Sequence, residues 1–184
     1  MYLFLILLLL SFICNISSAF TAAYSLRLGQ RRGQLLSAVL RNVFGIPLLG
    51  VSFVLAARRP APRLFAEVVW VDTVGGLLII AGAVLILLAL VVLRGRSAAP
   101  SMTDTLARHG LYAIVRHPLY DGVFCELAGA VLLRPTWPIL LSCLLTAGWL
   151  VVQARAEEHD LVQRIPGYRE YMAQVPRFIP RLRR

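Results

Sequence analysis

No charged side chain occurs between Met1 and Leu26. That run exceeds the roughly 20 apolar residues that carry a helix across a bilayer. Four more apolar segments follow, at about 34–57, 73–93, 118–133 and 138–152, with polar, arginine-bearing connectors between them. Backbone amides inside hydrocarbon must be satisfied within their own segment, and helices do this. The expected fold is therefore all-α: a polytopic transmembrane bundle of about five spans in one domain, 1–184, with a cytosolic C-terminal helical tail. Of the 184 residues, 59% are hydrophobic and 15% charged, a mixture foreign to soluble domains. The net charge of +10 suggests nucleic acid at first sight. The uncharged start excludes a soluble nucleic-acid binder in practice, and arginine beside anionic headgroups accounts for the charge.

The first segment reads as a retained helix. Ser17-Ser18-Ala19 resembles a signal cleavage site, but the basic n-region is missing. The second span, Gln34 to Ala57, carries Arg41 in its first third and Pro47, which can kink it. Arg41 is near enough to the headgroups to snorkel; the rival reading is a functional Arg41 facing a polar cavity. Arg58-Arg59-Pro60-Ala61-Pro62-Arg63 is a stiff connector. Gly75, Gly76 and Gly82 give the third span small surfaces for helix packing. Arg94 to Pro100 leaves the membrane, and Trp137 suits an interface. Cys14, Cys125 and Cys143 lie in apolar stretches without metal spacing and read as small buried hydrophobes.

Arginine assigns the sides. With five spans, Arg27, Arg31, Arg32, Arg94, Arg96, Arg108, Arg116 and the tail cluster, including Arg181, Arg183 and Arg184, share one face. Arg58, Arg59, Arg63 and Arg134 lie on the other. The imbalance predicts an outside N-terminus and a cytosolic C-terminus in a multi-pass protein, with a prokaryotic inner membrane as its setting. It also sets the polar loop around His117 beside the tail around Glu157 and Glu158.

That loop, Ala107 to Gly122, is the one polar stretch among the greasy ones. Arg116 and His117 cost free energy near hydrocarbon unless they meet water or polar partners. Pro118 can start a helix, and Gly122 admits a close neighbour. Two readings stand here: a basic juxtamembrane loop, or the mouth of a ligand site. Asp121 and Glu126 follow in the fourth segment, where a carboxylate is either functional or salt-bridged to Arg116 or Arg155. In the tail, helical spacing groups Arg155, Glu158 and Leu161, with Glu157 offset. Tyr168 and Tyr171 sit three apart on a short helix after Pro166-Gly167, with Tyr171 read as packing.

Three blocks carry a resemblance: Gly110-x-Tyr112-x-x-x-Arg116-His117-Pro118-x-Tyr120-x-Gly122, Arg155-x-Glu157-Glu158-x-x-Leu161, and Gly167-Tyr168-x-x-Tyr171-x-x-x-Val175-Pro176-Arg177-Phe178-Ile179-Pro180. In this order and spacing the chain resembles the isoprenylcysteine carboxyl methyltransferase and phospholipid methyltransferase family of membrane enzymes. It departs from the family pattern at His109, Leu111 and Ala113, which touch the shape of the lip. The resemblance implies an S-adenosylmethionine-dependent methyltransferase without a Rossmann-type site. Its first three spans (1–99) would be scaffold, and 100–184 would bind cofactor and catalyse.

The resemblance further implies that Tyr112, Arg116, His117, Tyr120, Glu157, Glu158 and Tyr168 enclose the cofactor. It gives Arg155 and Glu158 catalytic roles, and Arg155 and Glu126 contact with the acceptor. No metal is required. The acceptor is a membrane lipid or a prenylated molecule, a carboxylate or an amine, arriving sideways at the cytosolic leaflet. The alternative is a lipid-binding or membrane-assembly protein that keeps the fold without catalysis.

Overall fold

The computed structural model describes residues 2–94 and 100–180. Among them the regular structure is helical: α1 (Leu3–Ser18), α2 (Thr21–Leu28), α3 (Gln30–Val39), a π turn (Leu40–Gly45), α4 (Ile46–Arg58), α5 (Val69–Leu93), a 3₁₀ turn (Gly110–Ala113), α6 (Pro118–Leu133), α7 (Trp137–Arg164) and α8 (Tyr168–Gln174). One isolated bridge joins Arg63 to Thr136. The expectations for Gly95 to Ala99 and for Arg181, Arg183 and Arg184 fall outside the described residues.

Among the described residues three helices are long and apolar enough to cross a membrane: Gln30–Arg58, which joins α3, the π turn and α4, then Val69–Leu93 and Trp137–Arg164. The first apolar run is not one straight span. It breaks after Ser18, and α2 leaves α1 at 63°, so the pair counts as a fourth span only if taken together. The break has a cause in polar contacts. The Ala22 amide at the start of α2 donates to Asp160 Oδ1 on α7 at 2.7 Å, and Thr21 Oγ1 donates to Ser37 Oγ on α3 at 3.1 Å. Gly33 lets α3 approach the α2 backbone, since a Cβ there would stand 2.4 Å from the Ser25 amide nitrogen.

Helix α6 matches its expected bounds, Pro118–Leu133, but its 16 residues rise only roughly 24 Å, less than the ~30 Å hydrocarbon core. It leans along α5 through two glycine pairs. A Cβ on Gly82 would meet Gly122 O at 2.5 Å, and one on Gly129 would meet Gly75 O at 2.6 Å. The pairs 75/129 and 82/122 run in opposite directions, so the helices are antiparallel with touching backbones. Gly76 faces open space.

Helix α7 overshoots. Its 28 residues rise roughly 42 Å, and the apolar part ends near Val152. The last three turns, from Gln153, are polar. Two ends of the bundle result. At one, Arg59 lies 5.1 Å from the ring centroids of both Tyr2 and Trp137. At the other meet the α2 start, the loop from Ser101, the end of α7, and α8. The second end holds the polar groups.

Candidate functional site

The lash between loop and tail begins in the backbone. The amides of Arg116 and His117 donate to the carbonyls of Pro176 and Arg177 at 2.9 and 3.1 Å. The prolines keep 175–180 from turning into helix, so its carbonyls stay free to accept. Tyr171 Oη donates to Tyr112 O at 2.6 Å, and Arg108 donates to Gly167 O at 2.9 Å. Gly167, at φ 76°, makes the left-handed turn that lets α8 fold back.

Behind this lash sits Glu158. Arg116 reaches its Oε1 through Nε at 2.9 Å, Arg177 reaches Oε2 through Nη2 at 2.6 Å, and His117 Nε2 lies 3.2 Å from Oε1. Burial pushes the Glu158 carboxyl up. Hydrogen bonds from His117 and Arg177 and the charges of His117 and Arg116 outweigh it, and hold the group well below the usual carboxylate range. Arg116 also donates through Nη1 to Met172 O and Val175 O, each at 2.7 Å.

In front of the lash lies a cavity of about 520 Å³. One end is polar, with Tyr112, His117, Glu157, Asp160, Arg164 and Tyr168 in its wall; the other is apolar, with Ile46 and Leu49 of α4 facing Ile86, Leu90 and Leu93 of α5. Ile46 and Leu90 are exposed. Glu157 is held in the polar wall from two sides. Its Oε1 accepts from Arg41 Nη2 at 2.9 Å and Gln153 Nε2 at 3.1 Å, while Oε2 lies 4.0 Å from His117 Nδ1. Tyr120 stacks on His117 at 5.3 Å with planes 8° apart. Burial first, then the nearby charge of Glu157, pushes the Tyr112 phenol up; burial pushes Tyr168 up; burial takes Tyr171 to about 12. These phenols stay neutral and offer ring faces and hydroxyls.

The loop forms the cavity's near wall through Pro100 and Asp104 to Ala107. Arg164 fixes it, donating to Asp104 Oδ2, Ser101 O and its own helix's Asp160 Oδ2, all at 2.7 Å. Among the described residues no cluster of three His, Cys, Asp or Glu could hold a metal ion.

The structure thus brings Tyr112, Arg116, His117, Tyr120, Glu157 and Tyr168 to one cavity. Three expectations change. Glu158 does not line the cavity; its side chain is 4% exposed and bonded to Arg116, His117 and Arg177. Arg155 is exposed, outside the cavity wall. It follows the wall residue Thr146 by nine positions, about two and a half turns, and so points to the opposite side of α7. Glu126 lies against Gly82 on α5, outside the wall, and among the described residues has neither Arg116 nor Arg155 as an ion-pair partner.

Sequence reasoning missed Asp160, Arg164 and Asp104 as a group, although their i, i+4 spacing on α7 signals a pair. It weighed Arg41 chiefly as a snorkelling residue; the structure turns it inward to Glu157. Tyr171, read as packing, is buried and also lines the cavity.

Residues 77–163 match the model of the Isoprenylcysteine carboxyl methyltransferase (ICMT) family. This stretch of the chain belongs to that family. It runs from within α5 through the loop and α6 to the end of α7, and it holds Tyr112, Arg116, His117, Tyr120, Glu157 and Glu158. The match suggests a membrane methyltransferase, and the long apolar helices fit a membrane protein. Helices α1 to α4 and α8 lie outside the match. No curated protein and no solved structure matches the chain.

Proposed function

We propose that the protein transfers a methyl group from S-adenosylmethionine to an acceptor held in the membrane, at the leaflet facing its C-terminus. The observation that carries this reading is the two-ended cavity within a chain of that family. Its wall joins polar side chains from the end of α7 to apolar ones from α4 and α5, a lining suited to a polar cofactor and a hydrocarbon chain.

The donor set fits the cofactor. The rings of Tyr112, Tyr120 and Tyr168 offer π faces to a base or a cationic sulfonium. Glu157 accepts from an ammonium or a ribose hydroxyl, and His117 donates to a carboxylate. Arg116, committed to Glu158 and two carbonyls, supports His117 from behind. When bound, the cofactor supplies an electrophilic methyl on sulfur. The chain's own work is to align an acceptor with it and exclude water. A carboxylate acceptor needs no base. An amine needs one, and Glu157, not Glu158, is the carboxylate in the wall.

The same placement supports a five-crossing layout in which α6 is the short crossing and α2 lies along the polar end. The arginine imbalance makes that end cytosolic.

The test is methyl transfer from labelled S-adenosylmethionine to a lipid extract of the host, read by mass spectrometry. A labelled lipid is expected. Cofactor binding with no labelled product from any extract would move the reading to a non-catalytic lipid binder. No cofactor binding at all would end it.

A further inference from the structure

An arginine in the apolar helix Gln30–Arg58 is costly and needs a local explanation. The chain supplies one at Leu40–Gly45, where the helix widens into a π turn. Pro47 follows directly and cannot donate to the carbonyl four residues back, and a widened turn accommodates that loss. Gly45 then presses on α1: a Cβ there would stand 2.5 Å from Asn15 Nδ2, and Gly45 O accepts from Ser11 Oγ at 2.9 Å. The π turn is thereby fixed in depth and rotation, and Arg41 rides on it.

From that position Arg41 Nε donates to Ser18 Oγ at 3.3 Å, and Nη2 donates to Glu157 Oε1 at 2.9 Å. Gln153 Nε2 reaches the same oxygen while also donating to Asn15 O at 3.2 Å. One carboxylate oxygen is occupied from the π turn and from Gln153 of α7, which is itself tied to α1. The other oxygen lies 4.0 Å from His117 Nδ1, and the Tyr120 hydroxyl also hydrogen-bonds to Glu157. Glu157 is held by residues far from it in sequence; Arg41 is 116 positions away and outside the family-matched stretch.

We infer that Arg41 is a positioning residue for Glu157: it clamps Oε1 so that Oε2 faces the bound cofactor, and so ties the N-terminal helices to the methyl-transfer site. This rests on the proposed function, since Glu157 needs a cofactor to meet. The clamp gives the π turn a purpose. A regular α-helical turn would rotate Arg41 relative to α4 and leave the carboxylate to swing.

The experiment is a double-mutant cycle on the purified full chain in nanodiscs, read as the S-adenosylmethionine dissociation constant, with thermal midpoints as fold controls. Arg41→Met is expected to weaken binding about tenfold, the scale of a lost charged hydrogen bond. Arg41→Lys, which keeps the charge, is expected to recover most of that loss. In the Glu157→Gln background, Arg41→Met should cost nothing more. If Arg41→Met does not fold, Arg41→Gln takes its place in the same cycle. Wild-type affinity in the Arg41 variant, or an undiminished penalty in the Glu157→Gln background, would overturn the clamp and leave the methyltransferase reading standing. A wild-type protein that binds no cofactor would overturn both.

Discussion

Arg116 and Glu158 meet at 2.9 Å across 42 residues of sequence, and both side chains are nearly buried. The pair sits where the loop crosses the tail. Arg116 completes the crossing by capping two tail carbonyls. Removing one partner of such a pair strands the other without water, which costs about 3–5 kcal/mol. Glu158→Ala should therefore destabilise the protein on that scale and free residues 175–180 to protease. Arg177→Ala should cost less, because Arg177 is more exposed at 27%. The check is unfolding in detergent alongside limited trypsinolysis. Equal losses from the two variants would mean that the clasp is not centred on Glu158.

The same carboxylate sets a pH response. Its value in the folded chain is depressed, chiefly by His117 and Arg177 acting against burial. A depressed carboxylate contributes stability that is fully present above its unfolded value, about 4.3, and lost as pH falls through the folded one. The tail should stay docked from pH 7 to about 5 and loosen progressively in stronger acid. Tail release measured by proteolysis with an acid-active protease tests this. Release that begins above pH 6 would point to a histidine instead.

The glycine pairs between α5 and α6 give a test that does not touch the cavity chemistry. Gly82→Leu would drive a side chain into the Gly122 carbonyl, whereas Gly76→Leu meets open space. The first should destabilise by about 1–3 kcal/mol or more, and the second by less than about 0.5. Comparable midpoints for the two variants would mean that the helices do not touch there.

Much of this arrangement was legible in the sequence, and the reasons differ by element. The bounds of α6 followed from Pro118 and from Arg134, because helix starts and apolar runs are local signals. The meeting of His117 with the tail acids followed from arginine counting, a global but additive property. The break after Ser18 was not legible. It depends on Asp160 capping α2 from 138 residues away, and no local breaker marks it. The inward turn of Arg41 was hidden for a similar reason, since a π turn changes helical phase without changing composition. Glu157 and Glu158 were offered as near equals. They differ by one position, about 100° of helix, which sends one to the cavity and the other to the clasp.

His117 and Arg155, both expected at the site, separate in function. His117→Ala should weaken S-adenosylmethionine binding by about 1–3 kcal/mol, since its ring lies between both acids and the cavity. Arg155→Leu, on the far side of α7, should change binding by less than about 0.5 kcal/mol. Calorimetry on the two variants decides between them. A large effect from Arg155→Leu would mean that α7 is turned relative to the arrangement described.

The last prediction concerns the acceptor's path. Leu49 of α4 and Leu90 of α5 face the same cavity from two sides, and Leu90 is 37% exposed. A hydrocarbon chain can pass between these helices without leaving an apolar environment, while its polar head reaches the level of Glu157. Narrowing the gap with Leu49→Trp should slow methylation of a lipid acceptor strongly, because the added ring occupies the space the chain needs. The polar end of the cavity is untouched, so cofactor affinity should stay within about twofold, a few tenths of a kcal/mol. A small water-soluble acceptor, arriving from the polar end, should be methylated by the variant as well as by the wild type. The measurement pairs the cofactor dissociation constant with initial rates on both acceptors in one nanodisc preparation. Equal slowing on both acceptors would show that the substitution disturbs the site itself and that the lateral gap is not the path.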